Sequence, residues 1–222
     1  DLETREDQKF WYRAITMIWA PLQFVTLLAL IAYVAPADHL NTLEKLVLFF
    51  GVGVITGTVG INYSHELMHQ KNKLERFMAD TLLAMDLYSL FRSEHLLVHH
   101  RYVGTPKDPV SARFNEGFYR FFPRVLRECF LSAFRAEAAR LERKGKAWTD
   151  LSNPFFRYWA LQAVMLILAI AIGGIEGLAL FLWQAFVAVW QLEITNYVEH
   201  YGLTRKHLGN GKYEYVQPRH SW

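Results

Sequence analysis

Four runs of apolar residues limit what this chain can fold into: 14–34, 43–63, 155–172 and 175–197. Each is close to the ~20 residues that cross a bilayer as a helix. The second carries Gly53, Gly57 and Gly60, a stripe that predicts close approach of a neighbouring helix. The third opens with Asn153 as N-cap and Pro154 at the first helical position. Trp11, Tyr12, Tyr33, Tyr158 and Trp159 fall near run ends, where aromatic belts form. The competing reading is four buried helices of a large soluble bundle, and the charge distribution argues against it. The links "APADH" and "GGIEG" hold no Lys or Arg. The opposite ends carry Arg5, Lys9 and Arg13, then Lys71, Lys73 and Arg76, then Arg205, Lys206 and Lys212. The positive-inside rule then places both termini and the central region 64–154 in the cytoplasm, as for a multi-pass inner-membrane protein.

Two parts of the central region are expected at the membrane surface. Residues 77–91 are apolar but short, and Asp80 and Asp86 interrupt them; they read as a re-entrant or interface-hugging helix. Residues 118–145 read as an amphipathic helix with Phe121, Val125, Phe130 and Phe134 on one face and Arg120, Arg124, Arg127 and Arg135 supplying charge. Such a helix suits an anionic leaflet, or it packs on the protein as an ordinary solvated helix. The formal net charge of +3 is too small to argue for nucleic acid. A single cysteine, Cys129, excludes an intrachain disulfide and a thiolate cluster. The expected fold is therefore all-α: a multi-pass transmembrane helical bundle with interfacial helices, forming one domain over 1–222.

This topology brings six histidines to one membrane face: His65, His69, His95, His99, His100 and His200. His39 lies on the other side as a solvated loop residue. In "HELMH", His65 and His69 are four apart, about 40° apart on an α-helix, so both can hold one metal. In "HLLVHH", His95 and His99 repeat that spacing, while His100 points about 100° away. A helix of this kind serves two ions better than one. Imidazole-rich sites without thiolates point to iron, zinc or copper. Glu66, Glu94 and Glu199 adjoin ligand candidates and either ligate or accept a ring N–H. Asp80 and Asp86 sit in an apolar segment, where a charge is costly and commonly functional; each otherwise pairs with a nearby Arg or Lys. His207 reads as a loop residue near a turn, and His220 is left open. "HELMH" also fits the HExxH pattern of zinc peptidases, with Glu66 as base, but that leaves the triple histidine unexplained.

"NYSHELMHQ", "SEHLLVHHRYVGTPKDPVSAR" and "NYVEHYGLTRKHLGNGKYEYVQPRHSW" together resemble the bacterial membrane alkane 1-monooxygenases, within the integral-membrane fatty acid desaturase and hydroxylase superfamily. The resemblance runs from about Asn62 to Trp222. "NYVEHYGL" is its discriminating motif, shared with xylene monooxygenase relatives. It implies two non-haem iron ions at the cytoplasmic face, held by His65, His69, His95, His99, His100 and His200. It also implies O2 as co-substrate and insertion of one oxygen atom at the terminal carbon of a medium-length alkane. Electrons would come from NAD(P)H through a rubredoxin reductase and rubredoxin. The family has further helices ahead of the first run and a final histidine box soon after "HSW", so the chain is expected to be a fragment with an incomplete metal site. "HLLVHH" lacks the glycine that better-known members carry before the double histidine, which leaves the substrate open. An acyl desaturase or hydroxylase using the same metals is the nearest alternative. Phe49, Val52, Thr56, Leu161, Trp183, Phe186 and Trp190 are candidates for an alkane cavity, though helix packing explains most of them better. Arg101, Arg113, Arg120 and Arg124 are candidates for docking an acidic rubredoxin by charge steering, or for binding the leaflet.

Overall fold

A computed structural model describes residues 6–220, with side chains from Trp11 onward. The elements in order are α1 (Glu6–Val34), α2 (Thr42–Ile55), a π-helical turn (Thr56–Gly60), α3 (Ile61–Met68), α4 (Lys73–Met85), α5 (Phe91–Glu94), a second π-helical turn (His95–His99), α6 (His100–Tyr102), α7 (Phe118–Glu142) and α8 (Pro154–His200). A two-stranded hairpin, β1 (His207–Gly209) and β2 (Lys212–Tyr213), and a 3-10 turn (Pro218–His220) follow. Among the described residues, three helices are long and apolar enough to cross a membrane: Trp11–Val34, Thr42–Met68 and Pro154–His200. In the most apolar window of each, only 28% of residues are buried. Most of that apolar surface therefore faces outward, as a lipid-facing surface would.

The contacts cluster into two compact units, 1–89 with 158–189, and 90–157 with 190–222. In the first, α8 is two helical legs. Gly174 takes φ 61° and ψ −152°, outside helical geometry. A Cβ on Gly177 would lie 2.8 Å from the carbonyl oxygen of Ala169, whereas eight residues of continuous helix span about 12 Å. The chain doubles back at "GGIEG", as the two separate runs at 155–172 and 175–197 require. Asn153 accepts from the Phe155 amide, and Pro154 starts the helix, as expected.

The glycine stripe does what its spacing predicts. A Cβ on Gly53 would meet the Gln184 carbonyl and Val187 Cβ, each at 2.6 Å, and one on Gly57 would meet the Ala188 backbone at 3.0 Å. Gly60 faces the Gln23 amide of α1. Asn41 and Glu44 form a reciprocal capping box at the start of α2. Glu75 on α4 is fully buried and takes two hydrogen bonds from Arg13, 2.7 and 2.9 Å, so Arg13 is paired rather than a free charge. At the far end of α1, Lys45 Nζ donates to Ala35 O and to Glu176. Tyr158 is buried, so it does not sit in an aromatic belt; Trp11, Tyr12, Tyr33 and Trp159 are exposed.

In the second unit, α7 buries Phe121, Val125, Cys129, Ala133, Glu137 and Leu141, one residue every four. Phe121, Val125 and Cys129 pack with Val110, Ala112, Tyr197 and Tyr201. This inner stripe therefore packs on protein, the second of the two readings of 118–145. Phe130 is partly exposed, and Phe134 packs on Trp148 and Phe155. Asn210 and Gly211 both have positive φ, 51° and 70°, the turn that joins twisted hairpin strands.

Candidate metal-binding histidines

In the first unit, α3 ends at Met68 and His69 caps it. The Nε2 atoms of His65 and His69 are 3.4 Å apart. Two nitrogens each about 2.1 Å from one ion are about 3.0–3.4 Å apart for bond angles between 90° and tetrahedral. The pair has the right spacing to share a cation. Glu66 Oε1 lies 3.9 Å from His65 Nδ1, near enough to bias the ring but longer than a hydrogen bond.

In the second unit, the triple histidine departs from the α-helical expectation. His95–His99 form a π-helical turn, and the His100 amide bonds back to the His95 carbonyl, five residues earlier. The wider turn superposes residues five apart. His95 Nε2 therefore meets His100 Nε2 at 2.8 Å, although α-helical geometry would point them about 140° apart. His99 stacks beside His95 (ring centroids 5.2 Å) and also lies beside His200 (4.9 Å). One short stretch thus offers a close imidazole pair and a third ring paired with His200. The division of labour differs from the expected 95/99 pair with 100 apart.

The carboxylates sort differently from expectation. Glu94 is buried, and neither oxygen has a hydrogen-bond partner among the described residues. Burial, with Asp108 and Glu193 close by, holds its carboxyl well above the usual range. Glu94 thus lies near Asp108, which meets the His99 ring, and near Glu193; buried acids clustered this way suit a cation, because buried charge needs a counter-charge. His200 is buried with Nδ1 unpartnered among the described residues, a free ligand atom. Asp80 is buried on α4. Asp86 is buried beside the Thr56 hydroxyl, and burial pushes its carboxyl up to about 7. Glu199 is half-buried next to His200.

Sequence reasoning missed two groups. Asp108 Oδ2 lies 3.2 Å from His99 Nδ1, and Glu193 is buried on α8. Glu193 was visible as a charge inside the fourth apolar run, the same signal that flagged Asp80 and Asp86. Asp108 gave only a turn signature, "DPVS".

The remaining expectations divide. His39 is an exposed loop residue, and His207 lies exposed on the hairpin, packed on the Tyr213 ring. His220 is buried, with Nδ1 accepting from the Gln217 amide and Nε2 facing Glu214 at 3.2 Å; both nitrogens are engaged. The alkane-cavity candidates have different surroundings. Val52 and Thr56 border a space of about 240 Å³ with Trp19 and Leu27. Leu161 borders a separate, almost wholly apolar space of about 360 Å³ with Phe24, Phe77 and Met165. Phe49 is core packing. Trp183 donates to Leu46 O and stacks on the exposed Phe186, and Trp190 packs on Phe118. Of the docking arginines, Arg101, Arg113 and Arg120 are exposed. Arg124 is tied to Glu116, Glu128 and Pro109 O, so it is a structural cation rather than a free one.

A family model described as fatty acid desaturase matches residues 44–222. The chain is 38% identical over 213 residues to alkane 1-monooxygenase 2 of Pseudomonas aeruginosa, covering 96% of this chain and 56% of that protein. It is 34% identical over 212 residues to alkane 1-monooxygenase of Acinetobacter baylyi, covering 96% and 52%. It is 33% identical over 152 residues to the xylene/toluene monooxygenase hydroxylase component XylM of Pseudomonas putida, covering 68% and 41%. The chain spans about half the length of the curated relatives it matches.

Proposed function

Because the chain belongs to the fatty acid desaturase family, we propose that it is part of a membrane non-haem di-iron monooxygenase acting on the terminal carbon of medium-length alkanes. The product is the primary alcohol. The observation that carries the reading is the histidine arrangement: one Nε2 pair at ligand spacing, a second, closer Nε2 pair at 2.8 Å, and the His99 ring beside His200. Several relatives named alkane 1-monooxygenase support the substrate class. The proposed ligands are His65, His69, His95, His99, His100 and His200.

Two irons, when bound, supply O2 activation and take up electrons delivered from NAD(P)H through a rubredoxin reductase and rubredoxin. The chain's own residues do the rest. The imidazoles present neutral lone pairs, which hold a metal without neutralising it. Glu94, buried without a hydrogen-bond partner among the described residues and favoured in its neutral form by burial, would become a counter-charge by releasing its proton when a cation binds beside it. The apolar outer surfaces of α1, α2–α3 and α8 keep the protein in the bilayer, where an alkane is already dissolved. The histidines face the cytoplasm of an inner-membrane protein in this reading, on the charge asymmetry of the links.

The test uses the full-length protein with octane and with fatty acyl substrates. Octanol formed only with rubredoxin and its reductase supports the proposal. A desaturated acyl product formed without rubredoxin overturns it in favour of an acyl desaturase. Zinc without iron in the purified protein overturns it in favour of an HExxH peptidase built on Glu66.

A further inference from the structure

We infer that Asp108 is a positioning residue for His99, fixing which ring nitrogen is free to bind metal. The inference rests on the metal reading above. Asp108 Oδ2 already accepts from the Ser111 hydroxyl, so the proton between Oδ2 and His99 Nδ1, 3.2 Å apart, belongs to the ring. Nε2 is then the nitrogen with the lone pair. A carboxylate placed this way also raises the basicity of a ligating imidazole.

The carboxylate is held rather than free to rotate. Its side chain is fully buried. Ser111 Oγ donates to Oδ2 at 2.7 Å, and the Val110 amide donates to Oδ1 at 3.3 Å. Ser111 Oγ in turn accepts from the Gly104 amide at 2.8 Å. Gly104 sits at φ 69°, a conformation that favours glycine. Arg205 closes the far side: its amide donates to Gly104 O at 2.7 Å, and its guanidinium donates to Arg101 O and Val103 O. A loop that needed Asp108 only to turn would be served by the Val110 and Ser111 contacts alone. The additional bond to His99 points to a function beyond the turn.

The test titrates cobalt(II), as a probe for iron(II), into metal-free full-length protein in detergent, with a chelating indicator as competitor. Asp108→Asn keeps the shape and removes the charge. The expected result is unchanged apo thermal stability and cobalt affinity about 10–100-fold weaker. Combined with His99→Ala, Asp108→Asn causes no further loss, because it acts through that ring. Wild-type affinity in a folded Asp108→Asn protein overturns the inference, as does a loss that adds in full to that of His99→Ala. Should Asp108→Asn not fold, Ser111→Ala frees the carboxylate instead. A smaller loss that again disappears in the His99→Ala background supports the inference, and no loss overturns it. Wild-type protein that binds no cobalt overturns the metal reading itself, a distinct result.

Discussion

Asp86 offers a quantitative test of the first unit's packing. It follows α4, outside the three candidate spans, and is buried with no hydrogen-bond partner for either oxygen among the described residues. The nearby Thr56 hydroxyl, which donates to Gln184, offsets the effect of burial only in part. Burial raises the carboxyl from 3.8 to about 7. The folded state therefore keeps a proton that the unfolded state releases. The resulting stability is complete below about pH 4 and is lost as pH rises through about 7. Three pKa units correspond to about 4 kcal/mol. Asp86→Asn keeps a polar group of the same shape and removes the titration. Thermal unfolding of the full-length protein in detergent, from pH 4 to pH 9, reads the difference. The variant is expected to match wild type at pH 4 and to exceed it above pH 7, by on the order of 10 °C. A difference that does not change with pH, or a less stable variant at pH 8, would refute burial of an unpaired acid.

Three further outcomes follow from the same structure. Gly53→Ala places a methyl 2.6 Å from the Gln184 carbonyl and Val187 and is expected to cost about 1–3 kcal/mol. Gly51→Ala, which meets nothing within 4 Å, gains up to about 1 kcal/mol; equal effects at the two positions would contradict the close helix approach. Arg13→Met strands the buried Glu75 and should cost about 1–3 kcal/mol, less than a fully buried pair because Arg13 is half exposed. Adding Glu75→Gln should recover most of that loss in the same unfolding assay. His69→Ala and His100→Ala should each weaken cobalt binding, while His207→Ala, on the exposed hairpin, leaves it unchanged.

The apolar runs, the glycine stripe and the His65–His69 pair were legible because each depends on composition and local spacing. Twenty consecutive apolar residues need an apolar surround, lipid or protein core. Gly53 and Gly57 mark close approach because nothing larger fits there. The run boundary at "GGIEG" was visible, and Gly174 turns the chain where the two apolar runs meet. The pairing of His95 with His100 was not legible. It depends on a π-helical turn, and the same residues in an α-helix would separate those rings. That turn is selected by packing around it, which no window of sequence records. The same holds for Asp86 and Asp108. Both are aspartates next to apolar residues in the sequence, yet one is left without a hydrogen-bond partner beside Thr56 and the other is clamped to His99. Local sequence determined which groups can carry charge, bind metal or cross a membrane. Tertiary structure decided which of them face one another, because burial and partner distance, rather than residue type, set the cost of a charge.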